Sequence, residues 1–173
     1  MVQGAERMII GIEKGFIKNI TRVALMFFWL GIIILVPNNE LEKEYVYPVV
    51  QDSERIEQIV MTLPQIQFHY AGRFHDSYAN PIEFAQFTMR KSAHMVLYGF
   101  LGLSFVWVLK GFGVNGLRSW IIAGLLVLAV AVADETHQYF TDGRTGCIED
   151  VIIDVVGYII LAFIVLSLRK FKT

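Results

Sequence analysis

Four apolar blocks leave this chain little choice of fold. They run Ile20–Val36, Ala93–Leu109, Trp120–Ala133 and Val151–Leu168, with the third continuing helically past Asp134. A helix needs about 20 mostly apolar residues to cross a bilayer, and each block comes near that once flanking Lys, Arg, Trp and Tyr complete the crossing. Soluble domains average roughly 25% charged residues. This chain has 18%, with 55% hydrophobic residues and a mean hydropathy of +0.51. The expectation is an all-α membrane protein, a bundle of four transmembrane helices.

Basic residues set the orientation. Arg7, Lys14, Lys18 and Arg22 precede or open the first span, Lys110 and Arg118 lie between the second and third, and Arg169, Lys170 and Lys172 follow the fourth. The opposite side has Lys43, Arg55, Arg73, Arg90, Lys91 and Arg144, diluted among acids in a longer stretch. By the positive-inside rule both termini are cytoplasmic. The chain then divides into a cytoplasmic arm (1–19), a first span (20–36), an external segment (37–92), three further spans (93–168) and a basic tail (169–173). The first span has no small-residue cleavage site after it and is expected to be retained. A net charge of −1 offers no field for nucleic acid, and the single cysteine, Cys147, excludes an intrachain disulfide.

The external segment has the pattern of a small α/β module. Tyr45-Val-Tyr-Pro and Gln65-Ile-Gln-Phe-His-Tyr alternate like strands. Between them, Asp52 or Ser53 can cap a short helix carrying Ile56, Ile59, Val60 and Leu63 and stopped by Pro64. Asn80-Pro-Ile-Glu83 supplies a cap, a first-turn proline and a capping-box glutamate, so the second long helix should begin near Pro81, before its apolar block.

Ionisable residues gather at the outer ends of three spans. Lys91, His94 and Tyr98 share one helical face, and Asp134, His137 and Gln138 another with Glu135 beside them. Asp150, Asp154 and Gly157 share a third, and Arg144 lies in the Asp-Gly-Arg turn between the last two spans. Asp154 is one turn deeper than Asp150, roughly 6 Å at about 1.5 Å per residue. A carboxylate there costs roughly 2.5–3.5 kcal/mol on insertion scales unless paired. The expected partners are Arg144, Lys91 or a cation shared with Asp150, and the expected arrangement is one polar pocket. Against that, His94 alone could be a core histidine bonded to a carbonyl, and Arg90 an interfacial anchor. Tyr139 and Phe140 fit an aromatic belt, Gly99, Gly102 and Gly157 fit close helix packing, and Cys147 has no base to activate it.

Arg90-Lys-Ser-Ala-His-Met-Val-Leu-Tyr-Gly-Phe-Leu-Gly102, Asp134-Glu-Thr-His-Gln-Tyr-Phe-Thr-Asp-Gly-Arg144 and Asp150-Val-Ile-Ile-Asp-Val-Val-Gly157 together resemble the VanZ-like family. A lone Lys-x-x-His carries no specificity; three such motifs in order, each at a helix end, do. The resemblance covers Arg90 to Gly157. It implies that Lys91, His94, Tyr98, Asp134, Glu135, Gln138, Arg144, Asp150 and Gly157 are motif positions, and that 154, here Asp, is often Asn. The family name implies a link to low-level resistance to the glycopeptide teicoplanin, without naming a reaction.

Two functions fit these residues. One is an enzyme acting on a lipid headgroup or lipid-linked phosphate, a hydrolase or transferase. In it His94, Asp134, Glu135 and Asp150 are catalytic, Lys91, Tyr98, Gln138 and Arg144 bind substrate, and Asp150 with Asp154 can hold a divalent cation. The other is a non-catalytic envelope protein whose pocket binds a lipid or a glycopeptide antibiotic. A transporter has little room in four helices. Gly146-x-x-x-Asp150-x-x-x-Asp154 echoes the end of the CDP-alcohol phosphotransferase signature, whose upstream half is missing.

Overall fold

A computed structural model describes residues 2–35, 53–140 and 146–170 of the protein, with side chains from 15 onward and to 169. Five helices and one hairpin make up these parts: α1 (Val2–Leu35), α2 (Ser53–Thr62), β1 (Gln67–Tyr70), β2 (Arg73–Asp76), α3 (Pro81–Gly111), α4 (Leu117–Tyr139) and α5 (Ile148–Lys170). Four of them contain stretches long and apolar enough to cross a membrane: Gly15–Leu35, Pro81–Gly111, Leu117–Tyr139 and Ile148–Arg169. The protein is an all-α, multi-pass membrane protein with a two-stranded sheet between its first two long helices. The first span does not end in an irregular arm, because α1 continues helically back to Val2.

Helix α3 is the hub, packing against α1, α4 and α5. The three core-facing surfaces that meet there are single stripes at helical spacing. On α4 the stripe is Ala123, Val127 and Ala131; on α5 it is Val151, Tyr158 and Ala162; on α3 it is Tyr98, Leu101 and Phe105. Small residues let the helices approach. A Cβ on Gly157 would lie 2.2 Å from the Met95 carbonyl oxygen, and one on Gly99 3.1 Å from that of Gly157, so α3 and α5 meet backbone to backbone there. Tyr158 fills the space left by Gly102 and Gly124 and donates its hydroxyl to the Trp120 carbonyl at 2.7 Å. Large apolar side chains such as Leu125, Phe163 and Leu168 point outward, as lipid-facing residues do. Helix α1 is peripheral, seated on α3 by Ile33 and by Trp29 stacked on Phe100.

The hairpin is closed by the two-residue turn Ala71-Gly72, both with positive φ (50° and 73°), between the paired Tyr70 and Arg73. Its register sets Phe68 opposite His75. These two pack with Phe84 and Phe87 of α3, the His75 and Phe87 ring centroids 4.5 Å apart, and so fasten the sheet to the start of α3. Asp76 takes hydrogen bonds from Gln65, Gln67 and the Tyr78 and Ala79 amides, which hold its carboxyl at about 2. The expected strand at 65–70 is present from Gln67, and the expected short helix is α2, with Val60 buried. Helix α3 does begin at Pro81, but Asn80 makes no side-chain cap, so the capping box is not formed. The Tyr45–Pro48 strand expected from the sequence lies outside the described residues.

Candidate functional site

The polar residues occupy the core stripes themselves, at the end of the bundle where α4 finishes and α5 begins. Glu135 continues the Ala123, Val127, Ala131 row at the same four-residue spacing and is 7% exposed. Asp154 sits between Val151 and Tyr158 on the α5 row and is 1% exposed. Lys91 and His94 stand above Tyr98 on the α3 row. The positions that pack the membrane interior therefore become ionisable near one end, and their side chains face one another rather than lipid.

Three groups of contacts result. Lys91 donates its ammonium to Asp150 Oδ1, and the same oxygen accepts the hydroxyl of Tyr70 from β1. Lys91 Nζ also lies 5.0 Å from the Tyr70 ring centroid and 5.7 Å from that of Phe87. Burial first, then the bond to Asp150, pushes the Tyr70 phenol up. In the second group, Tyr98 and Gln138 each donate to Asp134 Oδ2 at 3.1 Å. In the third, His94 Nδ1 stands 3.5 Å from Asp154 Oδ1. That is beyond the ordinary N–H···O range of about 2.7–3.2 Å, and neither oxygen of Asp154 has a hydrogen-bond partner among the described residues. His94 keeps 18% of its side chain exposed while Asp154 keeps 1%, so the imidazole has an accessible side and the carboxylate has none.

Glu135 accepts the Cys147 amide at 2.9 Å, tying the end of α4 to the start of α5, and Gly146 fits there because a Cβ would lie 2.5 Å from the Glu135 carbonyl oxygen. Burial pushes the Cys147 thiol up to about 11, which keeps it a thiol.

Lys91, His94, Tyr98, Asp134, Glu135, Gln138, Asp150 and Asp154 thus lie within one polar cluster, and Arg144 lies outside the described residues. Asp154 meets His94 rather than Lys91, which is engaged by Asp150. His137 does not share the inward face of Asp134 and Gln138; it is exposed, because Glu135 takes the core-facing position. The acid and thiol groups close enough to hold one cation are Glu135, Cys147 and Asp150, within 4.8 Å of one another, without Asp154. Their fit to a metal is poor: Lys91 already neutralises Asp150, and Glu135 is occupied by the Cys147 amide. Tyr70 and Phe87 were not marked by the sequence. Tyr70 is 80 residues from Asp150, and nothing in the local pattern of a strand reveals such a contact.

Comparison with curated proteins and with solved structures gives no match. A family model described as VanZ/LLP1 matches residues 20–169, and so takes in α1 from Ile20, the hairpin and the whole cluster. With nearly all of its length matched, the chain belongs to the VanZ/LLP1 family.

Proposed function

We propose that this protein binds and chemically processes a phosphate-bearing lipid headgroup, or a lipid-linked phosphate, at the outer face of the membrane. The observation that carries this reading is the His94–Asp154 pair: a buried carboxylate beside a histidine that keeps one side open. A carboxylate so placed can hold the orientation of an imidazole, which suits His94 to act as general acid/base or nucleophile at phosphorus. Asp134, held by Tyr98 and Gln138, and Glu135 are the further proton-handling groups. Lys91 and Arg144 supply positive charge for the phosphate. The teicoplanin link in the family name fits an enzyme that alters the envelope lipids on which glycopeptides act. A purely binding protein is the competing outcome.

The product test is direct. The full chain in nanodiscs containing phosphatidic acid, phosphatidylglycerol or a polyprenyl phosphate should yield a new lipid species by mass spectrometry, against empty nanodiscs. Retention of a lipid through purification without any product would replace the enzyme by a binder.

Orientation is part of the same reading. The nine basic residues of the arm, second loop and tail favour cytoplasmic termini and, with them, a cluster on the outer side. In intact cells, an impermeant thiol reagent should modify Gln58→Cys and miss Gly113→Cys, in a Cys147→Ser background. The reverse pattern would move the site to the inner face.

A further inference from the structure

Asp150 and Lys91 are unequally partnered. The Asp150 carboxylate has two side-chain donors among the described residues: the Lys91 ammonium and the Tyr70 hydroxyl. Among the described residues the ammonium has one carboxylate in contact and, beyond it, the faces of Tyr70 and Phe87. If Lys91 withdraws, Asp150 still has the Tyr70 hydroxyl; if Asp150 withdraws, Lys91 keeps, among the described residues, the two aromatic rings. Each side chain is 14% exposed, so the pair is shielded but not sealed. Such a pair is built to exchange on the cation's side.

We propose that Lys91 is an exchangeable counter-ion: a phosphate monoester draws its ammonium away from Asp150, and Tyr70 is the positioning residue that keeps Asp150 partnered once Lys91 has left. The ligand chemistry rests on the reading of the site as a phosphate-lipid site; the exchange itself rests on the contacts above. No bond is made or broken, and one ionic partner replaces another. The hairpin is then part of the binding site, delivering one hydroxyl from the strand end that precedes its Ala71-Gly72 turn.

The consequence is an inversion that a structural role for these residues does not produce. Asp150→Asn removes the competing charge, frees Lys91 and should tighten phosphate binding. Tyr70→Phe removes one oxygen, leaves Asp150 dependent on Lys91 and should weaken binding by about tenfold, the usual scale for one hydrogen bond to a charged group. In the Asp150→Asn background, Tyr70→Phe should have almost no effect, because the carboxylate it served is gone. Lys91→Met should abolish binding.

The experiment titrates dioctanoyl phosphatidic acid, and inorganic phosphate in parallel, into the full chain in phosphatidylcholine nanodiscs, with thermal unfolding of every variant as the folding control. Tighter binding by folded Asp150→Asn, weaker binding by Tyr70→Phe and loss of the Tyr70 effect in the double variant are the expected results. The same order with inorganic phosphate assigns recognition to the phosphate; the order with phosphatidic acid alone assigns it to the lipid headgroup, and both support the exchange. If the wild type binds but Asp150→Asn binds more weakly, or folded Tyr70→Phe binds equally, the exchange is overturned while the phosphate reading stands. If the wild type binds neither probe, both fall. Should Tyr70→Phe fail to fold, Asp150→Asn alone decides.

Discussion

Gly157→Ala is expected to lower the thermal unfolding midpoint of the purified protein by roughly 10 °C, corresponding to about 3 kcal/mol of overpacking in a chain of this size. The added methyl would stand 2.2 Å from the Met95 carbonyl oxygen, and Met95 Cα and carbonyl carbon are at 2.7 Å. These are backbone atoms of a neighbouring helix, so no rotamer change can relieve the clash. The helices must separate, and the separation occurs one turn from Asp154 and directly beside His94. Loss of stability should therefore come with loss of the site. Gly31→Ala on α1, where a Cβ meets nothing within 4 Å, is the matched control and should leave the midpoint unchanged. An unchanged midpoint for Gly157→Ala would mean that α3 and α5 do not cross as described.

Asp154→Asn should separate stability from function. The carboxylate is 1% exposed, and neither oxygen has a hydrogen-bond partner among the described residues. A buried charge so weakly satisfied costs several kcal/mol, so its neutral isostere should fold as well as the wild type or slightly better. What the substitution removes is the negative charge facing His94 at 3.5 Å. If that carboxylate orients the imidazole, turnover should fall by about a hundredfold or more. A folded and fully active Asp154→Asn protein would remove Asp154 from the reactive site and leave it as a space-filling residue.

The spans were legible because their apolar blocks are long and separated by polar, glycine-containing turns; only α1 was cut short, since the mixed polar and apolar residues of 2–19 hide a helix that continues into the span. The start of α3 was marked by Pro81, whose fixed φ suits a first turn even though Asn80 makes no cap. Strand β2 was not legible. Arg-Phe-His-Asp has one strongly apolar residue, and its place is decided by His75 stacking between Phe68 and Phe87, a contact made across the fold. Within the cluster, spacing grouped Lys91 with His94 and Asp150 with Asp154, because residues three or four apart share a helix face. It could not say which face meets which. Depth alone made Lys91 a natural partner of Asp154, whereas the close crossing of α3 and α5 at Gly99 and Gly157 brings His94 there among the described residues. On α4 a shift of one residue decided the matter: Glu135 continues the alanine and valine row, which turns His137 outward.

The central claim, that His94, with Asp154 beside it, performs chemistry on a lipid phosphate, is tested most directly by comparing wild type and His94→Gln on the lipid that the wild type converts. Conversion is followed by 31P NMR in nanodiscs at equal amounts of folded protein. Glutamine keeps a polar side chain of similar reach but can neither accept a proton at neutral pH nor attack phosphorus. A wild-type rate at least about a hundredfold above that of His94→Gln, with headgroup binding retained in the variant, is the expected result. Equal rates in the two proteins, or no conversion by the wild type of any phosphate lipid offered, would contradict it.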